Sequence, residues 1–293
     1  MKAYPLRPVH TSSEASKDGP GKTNATVVRL KHPVRNAITI VIAITLLLGG
    51  YSVVTNENFG WETVGQYLFD PQILEGLVNT LYLTVIAMMI GLALGITLAV
   101  MRLSPTWLLQ AISSAYIWFF RGTPVLVQLI FWYNFGALYS HLSLGIPFGP
   151  QLLSVPSNDF ITPLTAAILG LGLNQAAYTA EVIRGGFLSV GKGQREAAKA
   201  IGMTPGLIYR RIVLPQAMPS IIPPVGNELI SMLKSTSLVS VIAMTDLLHS
   251  AQLIYARTYE TIPLLMVVCV WYLAITTVLT LIQGRVERHY ANR

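Results

Sequence analysis

The chain has 293 residues, 53% of them hydrophobic and only 11% charged, and a net charge of +7 at neutral pH. Soluble domains carry roughly 25% charged residues, so this composition excludes an ordinary water-soluble surface and fits one that faces lipid. One cysteine, Cys269, excludes a disulfide framework or a cysteine metal site, and the five scattered histidines have no metal-ligand spacing.

Residues 1–35 are rich in Ser, Thr, Gly, Pro and Lys, lack apolar periodicity and read as a disordered tail. The first apolar stretch starts too late for a secretory signal, and no small-residue cleavage site follows it. Apolar stretches then recur near 36–55, 77–101, 124–141, 162–183, 219–250 and 263–284. A span takes about 20 apolar residues, so the expected fold is all-α: an integral membrane bundle of about six transmembrane helices. The stretch at 124–141 is marginal, and Ala111–Phe120 is expected to lead into it along the interface. The stretch at 219–250 is long and interrupted by polar residues, with a break expected near Lys234–Thr236. The expected domains are the tail at 1–35, a first span with its external segment at 36–71, and a main membrane domain at 72–290.

Orientation follows from the basic residues. If there are six spans, eighteen of the twenty Lys and Arg fall on one side: in the tail, in 102–123, in 184–218 and at the C-terminus. The other side carries Glu57, Glu62, Asp70, Glu75, Asp159 and Glu260 against Arg257. Both termini are therefore expected in the cytoplasm. The basic excess is a topology signal with some attraction to anionic lipid, not a nucleic-acid footprint.

The longest structured segment outside the membrane is 184–218, RGGFLSVGKGQREAAKAIGMTPGLIYRRIVLPQAMP. Gln194–Ile201 is a good helix former, and Gly202 is placed to end that helix in a left-handed cap. Thr204 then caps a second helix with Pro205 at its first position. That helix carries Leu207, Ile208, Ile212 and Leu214, and Pro215 is expected to stop it. The result is a compact helix–turn–helix knob at the membrane surface. Nucleotide binding by this loop is excluded. Gly186, Gly191 and Lys192 nearly fit a phosphate loop, but Gly193 stands where the metal-binding hydroxyl is needed and a membrane helix precedes it.

Glu196–Ala197–Ala198, Gly202, Ile212, Leu214 and Pro215 match, at the right spacing, the EAA-x3-G-x9-I-x-L-P signature of ABC importer permeases. The wider sequence resembles the histidine/glutamine-type polar amino acid branch of that family. The matching segments are FRGTPVLVQLIFWY (119–132), LNQAAYTAEVIRGGF (173–187), KGQREAAKAIGM (192–203) and GNELISMLKSTSLVSVIA (226–243). The resemblance covers about 72–290. It implies a permease subunit of an ATP-driven importer for polar amino acids in the bacterial cytoplasmic membrane. The chain itself would not be an enzyme and would hold no cofactor, with ATP and Mg on two partner ATPase subunits. Further implied partners are a second permease, identical or homologous, and an extracytoplasmic binding protein. The knob would act as a coupling helix docked into an ATPase groove. There Glu196 would meet basic groups, Ala197 and Ala198 would permit close approach, and Gly202 would make the turn.

Polar residues inside the spans are the remaining signal. Asn174, Tyr178 and Glu181 share one helical face, as do Asn227, Ser231 and Lys234, with Glu228 as a neighbour. Ionisable groups in lipid are costly and face an interior or a cavity. These seven residues are therefore candidates for the translocation path, with Asn174 the deepest. The competing reading is interhelical hydrogen bonding, and for Glu181 a pair with Arg184 one turn on. The family often reads L-K-D-T-S-L where this chain reads Leu233–Lys234–Ser235–Thr236–Ser237–Leu238, so Lys234 lacks that local acid. Arg121–Gly122–Thr123–Pro124 reads as architectural, opening the third span with Arg121 at the cytoplasmic interface. The segment 136–162 is Gly/Pro/Ser-rich without Lys or Arg, and is an external contact for a binding protein or a plain connector. A standalone secondary transporter would show repeats or broken helices in matching halves, and a membrane enzyme would show clustered catalytic groups. Neither is evident.

Overall fold

A computed structural model describes residues 33–145 and 151–291. The expected tail falls mostly on residues 1–32, outside the described residues. The chain divides into two compact units, Met1–Thr55 and Asn56–Arg293.

In the first unit, helix α1 (Pro33–Thr55) runs through an unbroken apolar stretch. In the second unit a short α2 (Trp61–Tyr67) precedes α3 (Pro71–Leu103). Asp70 caps α3 by accepting from the Gln72 N–H at 2.8 Å, and Pro71 supplies a pre-set first turn. α4 (Trp107–Gly122) and α5 (Val125–Tyr133) follow. An antiparallel hairpin, β1 (His141–Gly145) and β2 (Gln151–Pro156), leads to α6 (Ser157–Phe160). Then come α7 (Pro163–Ser189), α8 (Lys192–Ala200), α9 (Pro205–Ile208), α10 (Leu214–Ser235), α11 (Leu247–Thr258) and α12 (Thr261–Ala291).

Among the described residues, three helices are long and apolar enough to cross a membrane: Val34–Thr55, Pro71–Leu103 and Thr261–Tyr290. Pro205–Ile242 with Leu247–Thr258, bent by 45° at their junction, makes a fourth span if the pair is counted as one. The other two expected spans take a different form. The stretch at 124–141 is divided because Pro124 disfavours a helical Thr123, which is extended at φ −116°, ψ 143°. α4 ends there, and the nine-residue α5 rises only about 14 Å. At about 40 Å, α7 has the length of a span, but Asn174, Gln175, Glu181 and Arg184 dilute its apolarity. The paired strands at 141–145 and 151–156 depart from an all-helical expectation and lie within the Lys- and Arg-free segment 136–162.

The 219–250 segment changes character where expected. α10 gives way at Thr236 to a 3₁₀ turn over Thr236–Ile242, and Ala243 takes a left-handed φ of 56° before α11. Asp246 caps α11 by accepting from the Leu248 and His249 N–H groups at 3.2 and 2.8 Å.

α3 and α7 pack along small residues. A Cβ on Gly91 would sit 2.7 Å from the Gln175 Cβ, and one on Gly95 would sit 2.7 Å from the Thr179 Cβ. Gly91 and Gly95 are one turn apart on the same face, the spacing that lets membrane helices approach closely. Gly95→Val should therefore destabilise the bundle by about 1–3 kcal/mol, the usual cost of overpacking. The check is thermal unfolding of the detergent-purified protein, with Gly49→Val in α1, where a Cβ meets nothing within 4 Å, as the unaffected control.

Candidate functional site: a polar cleft and a surface knob

The break between α4 and α5 leaves backbone groups that need partners, because the last carbonyls of a helix have none within it. Two side chains supply them. The buried Gln128 amide donates to the carbonyls of Phe120 and Thr123, both at 3.1 Å, and to the Thr123 hydroxyl at 2.7 Å. Asn174 reaches over from α7 and donates to the Phe120 carbonyl at 2.8 Å and to the Gln128 Oε1 at 3.3 Å.

This stitched break forms one wall of a cleft of about 530 Å³, with α7 and α10 as the other walls. Asn174, Tyr178, Glu228 and Ser231 line it, in keeping with their shared helical faces. The remaining three proposed path residues lie elsewhere, each for an identifiable reason. Glu181 is held by Arg184, which donates from Nη2 to Oε2 at 2.7 Å. Asn227 accepts from the Gln283 Nε2 of α12 at 3.0 Å. Lys234 is exposed and outside the lining of the cleft.

Two lining residues are not singled out by the sequence pattern. Arg121, expected at the interface, lies with its guanidinium 5.2 Å from the centroid of the Tyr178 ring, and its Nη1 is 4.0 Å from the Glu181 Oε2. With Gly122, Thr123 and Pro124 it lines the cleft rather than serving architecture alone. Gln175 is buried and donates to the Thr179 hydroxyl at 3.2 Å and to the Glu228 Oε2 at 3.3 Å. That amide is the hydrogen-bond donor seen on Glu228, and among the described residues no Lys or Arg stands within ion-pair distance of this carboxylate. Among the described residues, the cleft thus carries a cation on one wall, a carboxylate without a counter-ion on another, and amides and a hydroxyl around them.

The surface knob has the expected order with three refinements. α8 starts at Lys192 and ends in a Schellman turn. The Met203 N–H bonds the Ala198 carbonyl at 3.1 Å, the Gly202 N–H bonds the Lys199 carbonyl at 2.9 Å, and Gly202 sits at φ +79°. Thr204 occupies the position before α9 with an extended backbone, but its side chain makes no capping bond. Pro215 does not stop the second helix. A π turn over Tyr209–Val213, in which the Leu214 N–H reaches back five residues to the Tyr209 carbonyl, carries α9 into α10. Proline cannot donate and its ring crowds the carbonyl four residues back. Widening the helix ahead of Pro215 relieves both and lets α10 continue.

Glu196 and Ala197 are exposed on α8, whereas Ala198 is buried at 4% exposure against Ile183, Ile208, Val213 and Ala217. The close approach permitted by Ala198 is therefore to the chain's own core. Ile212 is half-buried and packs against that same cluster, while Leu214 and Pro215 are exposed.

Residues 91–292 match the family model of the binding-protein-dependent transport system inner membrane component. The arginine transport system permease protein ArgU of Corynebacterium glutamicum is 44% identical over 89% of this chain and 81% of its own length. The glutamine transport system permease protein GlnP of Escherichia coli is 34% identical over 79% of this chain and 97% of its own. A crystal structure of an amino acid ABC transporter with histidines contains a chain 34% identical to this one, with a TM-score of 0.66 over 77% of this chain and 97% of that one. With the fold, the signature loop and these relatives in agreement, the chain belongs to the binding-protein-dependent inner membrane component family and is a permease subunit of an amino acid ABC importer.

Proposed function

We propose that this permease moves cationic amino acids, arginine foremost, into the cytoplasm through the cleft between the α4–α5 break, α7 and α10. The observation that carries this reading is Glu228, a carboxylate lining the cleft beside an amide and, among the described residues, without a cation at ion-pair distance. An ionisable group at membrane depth is kept where it has work to do. A guanidinium or ammonium group entering the cleft would supply the missing charge, and Arg121 on the opposing wall suits an α-carboxylate. The arginine permease similarity, which spans 89% of the chain, supports the same choice.

In this reading the chain hydrolyses nothing and holds no cofactor. Two separate ATPase subunits bind ATP and Mg, a second permease copy or homologue closes the path, and an extracytoplasmic binding protein delivers substrate. Both termini are cytoplasmic, and the α8–Gly202–α9 knob, with Glu196 exposed, is the element that the ATPase moves. Rigid-body motion of the attached helices then opens the cleft to alternate sides.

The test is purification of the complex and uptake in proteoliposomes across an amino acid panel. ATP-dependent uptake led by arginine is expected. ATP-independent transport by this chain alone would overturn the importer reading, and a preference for neutral or acidic amino acids would overturn the substrate assignment.

A further inference from the structure

We infer that Arg195 is a positioning residue, a strut that ties α8 to both α7 and the π turn and so carries motion of the knob to two walls of the cleft. The inference rests on the reading of α8 as the coupling element. Arg195 lies on the inner side of α8, three residues before the buried Ala198. Its Nη2 donates to the Phe187 carbonyl. Phe187 is in the last turn of α7, where carbonyls lack helical partners and the helix dipole favours a cation. The same guanidinium stands 6.0 Å from the centroid of the Tyr209 ring, and that ring meets Phe187 edge-on at 6.3 Å. One cation therefore joins the end of α7, the middle of α8 and the first residue of the π turn.

The manner in which this charge is held separates a strut from an ordinary surface arginine. Among the described residues the ion pairs all involve Glu181, so no carboxylate holds Arg195, and its Nε is buried without a partner. A helix end, a carbonyl and an aromatic face hold it instead, which a planar guanidinium does better than an ammonium. Through Phe187 the strut pulls on α7, where Tyr178 and Asn174 lie about 14 and 20 Å further along the axis. Through Tyr209 it pulls on the turn that continues into α10 and its Glu228 and Ser231. Glu196, the next residue on α8, points outward. Adjacent residues, about 100° apart around the helix, thus serve different faces of α8, Glu196 the side open to a partner and Arg195 the side toward the path.

The readout is substrate imported per ATP hydrolysed by the reconstituted complex with its binding protein. Arg195→Ala should lower that ratio about tenfold, the scale of one charge-assisted hydrogen bond. Arg195→Lys, which keeps a donor for the Phe187 carbonyl but loses the planar stack, should recover part of it. Tyr209→Phe should retain the ratio and Tyr209→Ala should lose it. The double variant Arg195→Ala/Tyr209→Ala should fall no further than either single change, because residues acting as one unit are not additive. An unchanged ratio in Arg195→Ala, or losses that multiply in the double variant, would overturn the inference. If Arg195→Ala fails to assemble, Arg195→Lys and the two Tyr209 variants decide alone. Glu196→Lys separates the two levels. A lowered ratio there with a neutral Arg195→Ala overturns the strut alone, whereas an unchanged ratio overturns the coupling assignment with it.

Discussion

Gly202→Val should leave a complex that hydrolyses ATP but imports little, while Gly202→Asn should remain close to the parent. The turn after α8 requires φ +79° at this residue, and a Cβ built there meets nothing within 4 Å. Steric room is therefore not the issue, and the cost is conformational. A left-handed residue other than glycine costs roughly 1–2 kcal/mol, and asparagine is among the few that visit the region routinely. A penalty of that size changes a folded-to-unfolded ratio by a factor of about 5–30. It acts on the two Schellman bonds that seat Met203 and Ala198 against the core. Loosening that seat lets α8 move without carrying the helices behind it. The measurement is import per ATP hydrolysed in proteoliposomes. A valine variant that imports with the parent's stoichiometry would remove Gly202 from the coupling route.

The knob is legible in the sequence because its rules are local. A glycine after a helix, a proline at the start of the next, and charged residues on a short amphipathic helix each act within a few residues. The apolar lengths of α1, α3 and α12 are local in the same sense, and so is the change of helix type at Thr236. What the sequence does not show depends on partners far away in the chain. Spacing alone puts Asn227 on the face of Ser231, but Gln283, fifty-six residues on, takes its amide oxygen. Arg121 has the composition of an interface anchor, yet Tyr178 and Glu181 on another helix draw it into the cleft. Pro215 reads as a stop under α-helical geometry, and the π turn before it evades that rule. Three further prolines, Pro219, Pro223 and Pro224, then lie within α10, which nevertheless runs on to Ser235.

Glu228→Gln should weaken uptake of arginine far more than uptake of any neutral amino acid the importer accepts. The substitution keeps the shape of the side chain and a carbonyl oxygen able to accept the Gln175 amide, which now bonds Glu228 at 3.3 Å. It removes only the negative charge. A hydrogen bond to a charged group contributes about 1.5–3 kcal/mol against about 0.5–1.5 for a neutral one. The difference corresponds to a loss for a cationic substrate on the order of tenfold. A neutral substrate makes no ion pair there, so its uptake should stay within about twofold of the parent on the same arithmetic. Concentration dependence of uptake, measured in parallel for arginine and glutamine, separates the cases. Selective loss for arginine places the cationic group at Glu228. An equal loss for both assigns Glu228 to the packing of α7 against α10 through Gln175, and unchanged uptake of both removes it from the path. The Arg121 wall offers the complementary arm. Arg121→Gln should weaken every amino acid alike, because the α-carboxylate it would receive is common to them all. The two variants together therefore tell which end of the substrate each wall of the cleft holds.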